Sequence, residues 1–408
     1  MRSPLVPIFL TVFVDVLGLT LMLPLLPFYA EHFGASPLVA TILGASYAAC
    51  QLVSGPLLGR LSDRVGRKPV LLVSQAGTCA AFLTIGFSNS LWMLFLGRMI
   101  DGATAGNLSI AQAYISDVTR PQNRTKAFAL IGIAFGSGFL IGPAISGLLA
   151  KRFGYSAPAF GAAGLSLLSI ILTATLLPNA AEAAKMKAAI RELDAGSAPA
   201  KEAPAAGART LALGRFMGRP EPRRRLLQFF AFTTSFAVLT GGLALFLERQ
   251  LGFDVEKVGY VFMASGLVGG LIQGGIIGRL AKKLGEPKLA LLGFVTMAAG
   301  YVFLGAATTI PLLLVMVVVS SFGVAVTRPS LTTLLTKSVG HDEQGAALGT
   351  SQSLQSISQI VGQPTAGFLI EHHQLAAYGI AAAAFALVGV VLSLGEKKPG
   401  PTPAAAEG

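Results

Sequence analysis

An all-α membrane protein, with twelve transmembrane helices in two six-helix bundles, is the fold class this sequence predicts. Three observations carry the prediction. They are twelve long apolar runs, one polar stretch of roughly 45 residues near the middle, and a repeat that aligns the second half on the first.

The 408 residues are 53% hydrophobic and only 12% charged, with a mean hydropathy of +0.68. Soluble domains carry about 25% charged residues, whereas one helical crossing needs ~20 mainly apolar residues. Runs of that kind fall near 5–28, 37–58, 69–87, 91–115, 126–150, 157–177, 226–247, 257–278, 288–306, 310–335, 344–370 and 375–394. Glycine (48 residues) and serine punctuate nearly all of them, as expected where helices pack closely in lipid. The first run lacks a charged leader and a small-residue cleavage site, so no cleavable signal is expected.

The formal charge of +12 reports topology rather than a nucleic-acid partner. With the N-terminus inside, 25 of the 31 Lys and Arg fall in cytoplasmic segments. Lys151, Arg152, Arg249 and Lys257 fall outside, and Arg98 and Arg328 fall within spans. That skew follows the positive-inside rule, and both termini are expected in the cytoplasm. Two cysteines, Cys50 and Cys79, lie inside apolar runs, which argues against a disulfide scaffold or metal site. His32, His341, His372 and His373 lie in loops without metal spacing or a neighbouring nucleophile, and no phosphate-binding glycine loop is present. No enzyme, no metal and no cofactor are expected; the energy source is the proton gradient.

These runs divide the chain into an N-terminal bundle (1–178), a linker (179–225), a C-terminal bundle (226–395) and a disordered tail (396–408). The linker "NAAEAAKMKAAIRELDAGSAPAKEAPAAGA" reads as a short surface helix and a flexible tether. "RFMGRPEPRRR" then leads polybasically into span seven along the inner leaflet. The flanking halves are duplicates. "LLGRLSDRVGRKPVLLV" aligns with "IIGRLAKKLGEPKLALL" at an offset of 219, matching Gly59, Arg60, Leu61 and Gly66 with Gly278, Arg279, Leu280 and Gly285. "LIGPAISGLL" similarly echoes "VGQPTAGFLI". Duplicated bundles are how secondary transporters build a central cavity and rock about it.

Four stretches resemble a known family. "GRLSDRVGRK" (59–68) resembles the signature loop of the major facilitator superfamily, between its second and third spans. "LGRMIDGATAG" (96–106) resembles its fourth-span motif with a buried arginine, and "GSGFLIGPAISG" (136–147) the fifth-span motif typical of proton-coupled exporters. With "DVLGLTLMLPLLP" (15–27), the pattern is similar to the twelve-span drug:proton antiporters, tetracycline-type pumps among them. Those pumps carry a further acid in the third span, where this chain reads "VLLVSQAGTCAAFLTIGF" with none, so tetracycline is not assigned.

Ionisable groups inside the membrane are functional candidates by default. Asp15 lies ten residues in from the inner end of span one, or ~15 Å deep at the rise of an α-helix. Arg98 lies at similar depth in span four, with Asp101 on the same face at i,i+3. Two acids and one guanidinium at one level leave one negative charge that a proton would cancel. Asp15 is expected to accept the proton and Arg98–Asp101 to tune it, though the two acids are interchangeable at this stage. The plainer alternative is a self-neutralising Arg98–Asp101 pair, with Asp15 hydrogen-bonded to backbone or hydroxyls near Thr11 and Gly18. Arg328, about eighteen residues from the outer end of span ten, is expected to snorkel to the inner surface.

In the signature loop, Gly59 and Gly66 suit a tight turn among Arg60, Asp63, Arg64, Arg67 and Lys68. The resemblance implies a cytoplasmic gate, with Asp63 docking on span eleven in the outward-facing state and Arg67 pairing with Asp117. Lys282 replaces Asp63 in the second copy, so the latch should be one-sided. Gly138, Gly142, Pro143 and Gly147 form a flat, bent face that either packs ordinarily or seals the two halves against leak. Polar candidates for a mainly apolar substrate cavity are Tyr47, Gln51, Asn107, Gln112, Gln273, Gln352, Gln355 and Gln359; interhelical hydrogen bonding is their other reading.

The function expected is proton-driven export of a small amphiphilic compound by a monomer in the inner (plasma) membrane. Its partners are a small-molecule substrate, protons and the lipid bilayer, with no nucleic acid. The rival on the same scaffold is a proton-coupled or facilitative importer of a small metabolite, which the fifth-span motif disfavours. A non-transporting receptor is a third class, and it would leave the buried charges without a task.

Overall fold

The computed structural model describes residues 5–119, 121–179, 182, 214–340 and 343–395. The expected surface helix and tether, apart from residues at their edges, and the expected disordered tail lie outside these residues.

All regular structure among the described residues is helical. The first half comprises α1 (Leu5–Met22), α2 (Leu25–His32), α3 (Pro37–Val65), α4 (Arg67–Gly86), α5 (Leu91–Ala103), α6 (Asn107–Val118), α7 (Pro121–Phe153) and α8 (Ser156–Leu176). The second comprises α9 (Pro220–Leu251), α10 (Val255–Leu271), a π-helical segment (Ile272–Ile276), α11 (Ile277–Leu284), α12 (Glu286–Gly305), α13 (Ile310–Lys337), α14 (Gln344–Glu371) and α15 (Leu375–Leu394). Helix α9 starts at Pro220, a few residues before the boundary expected at 226.

Nine helices among the described residues are long and apolar enough to cross a membrane, or ten if α1 and α2, bent by 42°, count as one span. The two remaining apolar runs fail for separate reasons. Run 91–115 is interrupted at Thr104–Ala105–Gly106, which leaves helices of 13 and 12 residues. Helix α14 has 28 residues, but its Ser, Thr and Gln side chains keep its hydropathy low. The α1–α2 break follows from Pro24 and Pro27, which remove backbone donors where a straight helix would need them.

A break within lipid requires new partners for its backbone. The Ser74 hydroxyl of α4 supplies them at the second break. It donates to the Thr104 carbonyl and accepts from the Gly106 N–H at 3.1 Å. Ser54 donates to the Gly102 carbonyl at 2.6 Å, just before the same break.

The duplication is visible in the backbone. Every positive-φ residue among those described belongs to a pair at nearly constant offset. The pairs are Gly34 with Gly252, Gly66 with Gly285, and Gly154 with His373. Packing repeats as well: α1 lies on α7 and α8 as α9 lies on α14 and α15, and α4 lies on α8 as α12 lies on α15. The halves meet through α3 against α14 and α7 against α10.

The two ends of that interface differ. At the end away from Gly66 and Gly285, one apolar cluster runs through both halves, with Phe28, Tyr29 and Ala150 beside Phe246, Leu247 and Val258. Lys151 is ion-paired there with Glu256, Arg249 with Glu31 at 2.6 Å, and Glu371 accepts from Ser36 at 2.7 Å and the Leu38 N–H at 3.0 Å. Towards the Gly66 and Gly285 turns the apolar clusters are separate. Ile8, Val12, Val70, Ile110 and Tyr114 form one in the first half, and Phe216, Leu226 and Leu335 one in the second. The ties between the halves among the described residues thus concentrate at the end away from those turns.

The polybasic stretch before α9 differs from a simple lipid-facing run. Arg215 and Arg219 pair with Glu343 at 3.0 and 2.6 Å, Arg224 donates to the Leu392 carbonyl at 2.8 Å, and Arg225 is buried. Hydrogen bonding from Arg219 holds the Glu343 carboxyl below the usual carboxylate range. A depressed carboxylate stabilises above its unfolded-state pKa of ~4.3 and loses that contribution as pH falls through its folded value. This tie therefore persists at neutral pH and dissolves only in acid.

Gly285→Ala should lower the unfolding midpoint in detergent, at a cost of about 1–3 kcal/mol for a backbone conformation reserved to glycine. Its φ is 75° and ψ 158°. Gly55→Ala, in open helical space, should be neutral or mildly stabilising; an equal loss in both would contradict the assignment.

Candidate functional site

Asp15 projects from the middle of α1 towards α4 and α8. Its Oδ2 accepts from Gln75 Nε2 at 3.3 Å, and the Ser169 hydroxyl lies in hydrogen-bonding contact. Gln75, fully buried, also donates to Ser169 at 2.8 Å, and Ser169 donates to the Thr11 carbonyl at 3.4 Å. The carboxylate is thus held by neutral groups alone.

Arg98 and Asp101 form a second, separate unit. Arg98 Nη1 reaches Asp101 Oδ2 at 2.9 Å, with side chains only 7% and 6% exposed. The guanidinium stacks over the Tyr47 ring at 4.3 Å, a cation–π contact, and Thr78 hydrogen-bonds Asp101. Among the described residues no ion pair links Asp15 to Arg98 or Asp101, the arrangement of the plainer alternative: a paired Arg98–Asp101 and an Asp15 held by an amide and a hydroxyl. Helix α1 packs on α7 and α8, whereas α5 packs on α3 and α4. Polar residues of α4 face both acids: Gln75 takes Asp15 and Thr78 takes Asp101. Lone polar residues such as Gln75, Ser74, Thr78 and Ser169 were missed because they carry no periodic signal within apolar runs.

A polar path leads from this pair into the other half. Gln51 Nε2 donates to the Tyr47 hydroxyl at 2.9 Å, and Gln51 Oε1 accepts from Ser356 on α14 at 3.3 Å. The neighbouring Gln355 accepts from Arg328 at 3.4 Å. Arg328 accordingly does not extend to the inner surface as expected: it turns towards α14, where a hydrogen-bond acceptor is available. The other cavity candidates are less connected. Gln112 and Gln352 are exposed, Gln359 is half-buried, Gln273 is exposed within the π-helical segment, and none of these four side chains makes a hydrogen bond among the described residues. Asn107 opens α6, with its Oδ1 buried and without a partner.

In the signature loop Gly66 has φ 107°, a turn geometry that only glycine adopts readily. Arg67 is its hub. It meets Asp63 at 2.6 Å, Asp117 at 3.1 Å and the Ser62 hydroxyl at 2.7 Å. Lys68 fastens the loop to the end of α8 through the carbonyls of Ala174 and Leu177 at 2.8 and 2.7 Å. Asp63, 39% exposed, pairs with Arg67 across the Gly66 turn rather than with α14, and Arg64 is exposed. Gly59 supplies a carbonyl to the Ser62 hydroxyl at 2.8 Å.

The fifth-span motif works on two surfaces. A Cβ at Gly138 would fall 2.6 Å from Val16 Cγ1 and one at Gly142 2.1 Å from Thr20 Oγ1, so both press on α1 beside Asp15. Thr20 donates to the Gly138 carbonyl at 3.0 Å. A Cβ at Gly147 would fall 2.7 Å from the Glu256 Cα, and the Pro143 carbonyl meets Gly259 on α10. Helix α7 therefore joins the Asp15 helix to the opposite half through small-residue contacts.

Two duplicated helical halves, tied mainly at one end and carrying charges within their spans, define a membrane transport protein. A profile of the Major Facilitator Superfamily matches residues 8–277 and again 225–408. The chain belongs to that superfamily, is a multi-pass membrane protein with a small-molecule substrate, and is not an enzyme. It is 30% identical to "Tetracycline resistance protein, class D" of Salmonella ordonez over 404 residues, covering 97% of this chain and 96% of that one. It is 26% identical to "Multidrug resistance protein 2" of Bacillus subtilis over 370 residues, 88% and 87% of the two chains. Among solved structures, the human organic anion transporter MFSD10 (TETRAN) superposes with a TM-score of 0.71 at 22% identity, covering 96% of this chain and 99% of that one.

Removing one member of a buried ion pair costs about 3–5 kcal/mol. Asp101→Ala should therefore destabilise the protein strongly in detergent unfolding, and Arg98→Gln added to it should recover part of the loss. A double variant no better than the sum of its parts would show that the pair is not mutually compensating.

Proposed function

We propose that the protein exports small amphiphilic compounds in exchange for protons by alternating access of its two halves. In this reading the chain crosses the membrane twelve times, counting the broken α1–α2 and α5–α6 segments and the polar α14 as crossings. Both termini face the cytoplasm, and a monomer works in the inner (plasma) membrane. The structure is then the inward-open form, with the basic Gly66 and Gly285 turns at the cytoplasmic end.

The observation that carries the proposal is Asp15. It is a carboxylate within a transmembrane helix, held only by Gln75 and Ser169 and free of any ion pair among the described residues. Asp101 is already neutralised by Arg98, so a proton taken up by the pair of acids stabilises the interior most at Asp15, by removing an uncompensated charge. Val16, the next residue, touches Gly138 of α7, which carries the contact to α10. Protonation of Asp15 loosens its hold on Gln75 and changes how α1 sits against α7, and hence against the other half. Arg67, tying Asp63 to Asp117, keeps the cytoplasmic gate loop preformed for docking on α14 when that end closes. The drug-resistance names of relatives that match nearly full length support export as the direction. The absent third-span acid leaves the compound itself open.

Proteoliposomes holding an imposed proton gradient supply the test. Addition of a panel of cationic and neutral drugs should produce compound-induced proton release with the wild type. Asp15→Asn should reduce that release at least tenfold while leaving the protein folded. Release that persists in Asp15→Asn would move the proton to Asp101, and its absence with every compound would favour a metabolite importer.

A further inference from the structure

Arg328 is the interior charge that proton exchange at Asp15 leaves unused. It lies on α13 nine residues before the helix ends at Lys337, or ~13 Å of helical rise from that end. Among the described residues no carboxylate is paired with it; its one hydrogen bond is the donation from Nη2 to Gln355 Oε1 at 3.4 Å, and the side chain is otherwise exposed. An arginine at such depth turned towards lipid would be costly. Its contact shows that it turns instead to α14, at the level where α14 meets the first half.

That level is defined by Ser356, adjacent to Gln355, whose hydroxyl reaches Gln51 on α3. Apart from the ties at the closed end, this is the hydrogen bond that joins the two halves among the described residues. Beyond Gln51 stand Tyr47 and then the stacked Arg98. Gln352 and Gln359 share the α14 face with Gln355 and have uncommitted amides. The four interior charges thus divide unevenly. Arg98 and Asp101 neutralise each other, Asp15 has two neutral partners, and Arg328 has one weak amide contact. A guanidinium offers five donors in a planar fork matched to a carboxylate or a similar oxyanion, and Arg328 has spent one.

We infer that Arg328, assisted by Gln355, is the recognition group for an anionic headgroup on the exported amphiphile: a carboxylate, enolate or sulfonate carried on an apolar body. The inference rests on the export reading for the direction of transport and on the Arg328–Gln355 contact beside the Ser356–Gln51 bond for the rest. Anion and proton then occupy different groups, so exchange is enforced by the gates rather than by competition for a single charge. A cation gains nothing at this position and is repelled by it.

Binding to purified protein in detergent, with no gradient present, tests this directly. Fluorescein is the anionic probe, Nile red the neutral one and ethidium the cationic one, each followed by fluorescence. The wild type should bind fluorescein, and Arg328→Gln should weaken it about tenfold or more, the scale of a charged hydrogen bond. Arg328→Lys should keep most of the affinity, with ethidium binding undiminished in both variants. Failure of the wild type to bind fluorescein, unchanged fluorescein affinity in Arg328→Gln, or equal loss of all three probes would overturn the inference. Because no proton movement is measured, this outcome is independent of whether exchange with protons occurs.

Discussion

Backbone groups freed at membrane depth, and the charges buried there, need partners inside the protein, and that constraint organises much of the structure. The Ser74 hydroxyl splices the α5–α6 break, Gln75 holds Asp15, and Tyr47 and Asp101 enclose the Arg98 guanidinium. Except for Asp101, which shares α5 with Arg98, these partners lie on neighbouring helices, so the polar groups also fix how α1, α3, α4 and α5 sit together. Apolar packing alone specifies such contacts weakly in lipid, where the surrounding tails are as apolar as the side chains. The break at Gly106 is tolerated for the same reason: α4 takes up what the backbone gives away.

Much of this was legible in the residues. Apolar run length located the helices, because the bilayer thickness sets that length, and the offset of 219 announced a duplication that reappears in three pairs of left-handed residues. The span count was less direct. Hydropathy responds to side chains and not to continuity, so it did not register the α5–α6 interruption, and the length of run 344–370 overstated how apolar α14 is. The charges were found by residue type, but their grouping was not. Depth along a helix says nothing about which neighbour a side chain faces, so Asp15 and Arg98 were assigned to one cluster while α4 supplies separate partners to each. For Arg328, position along the helix suggested snorkelling, whereas the side chain contacts Gln355 on α14.

Function in this account comes from the asymmetry between the two ends. The closed end carries one apolar cluster across both halves together with ion pairs such as Arg249–Glu31. The other end has separate clusters and a gate loop whose Arg67 is occupied within its own half. Helix α7 links the two behaviours. Its glycines meet α1 beside Asp15 on one side and α10 on the other, so under the proposed exchange a change of protonation at Asp15 would be felt at the interface between the halves. Small residues suit that role because they allow the helices to slide without opening a void.

The most direct test of the alternating halves is a pair of distance measurements between spin labels, with Cys50 and Cys79 replaced by serine. One label pair would sit at positions 61 and 283 near the Gly66 and Gly285 turns, the other at 153 and 260 near the closed end. As pH is varied through the titration of Asp15, the account predicts that one distance lengthens while the other shortens, and that Asp15→Asn removes this response. Ends that open together, or that ignore pH in the wild type, would contradict it.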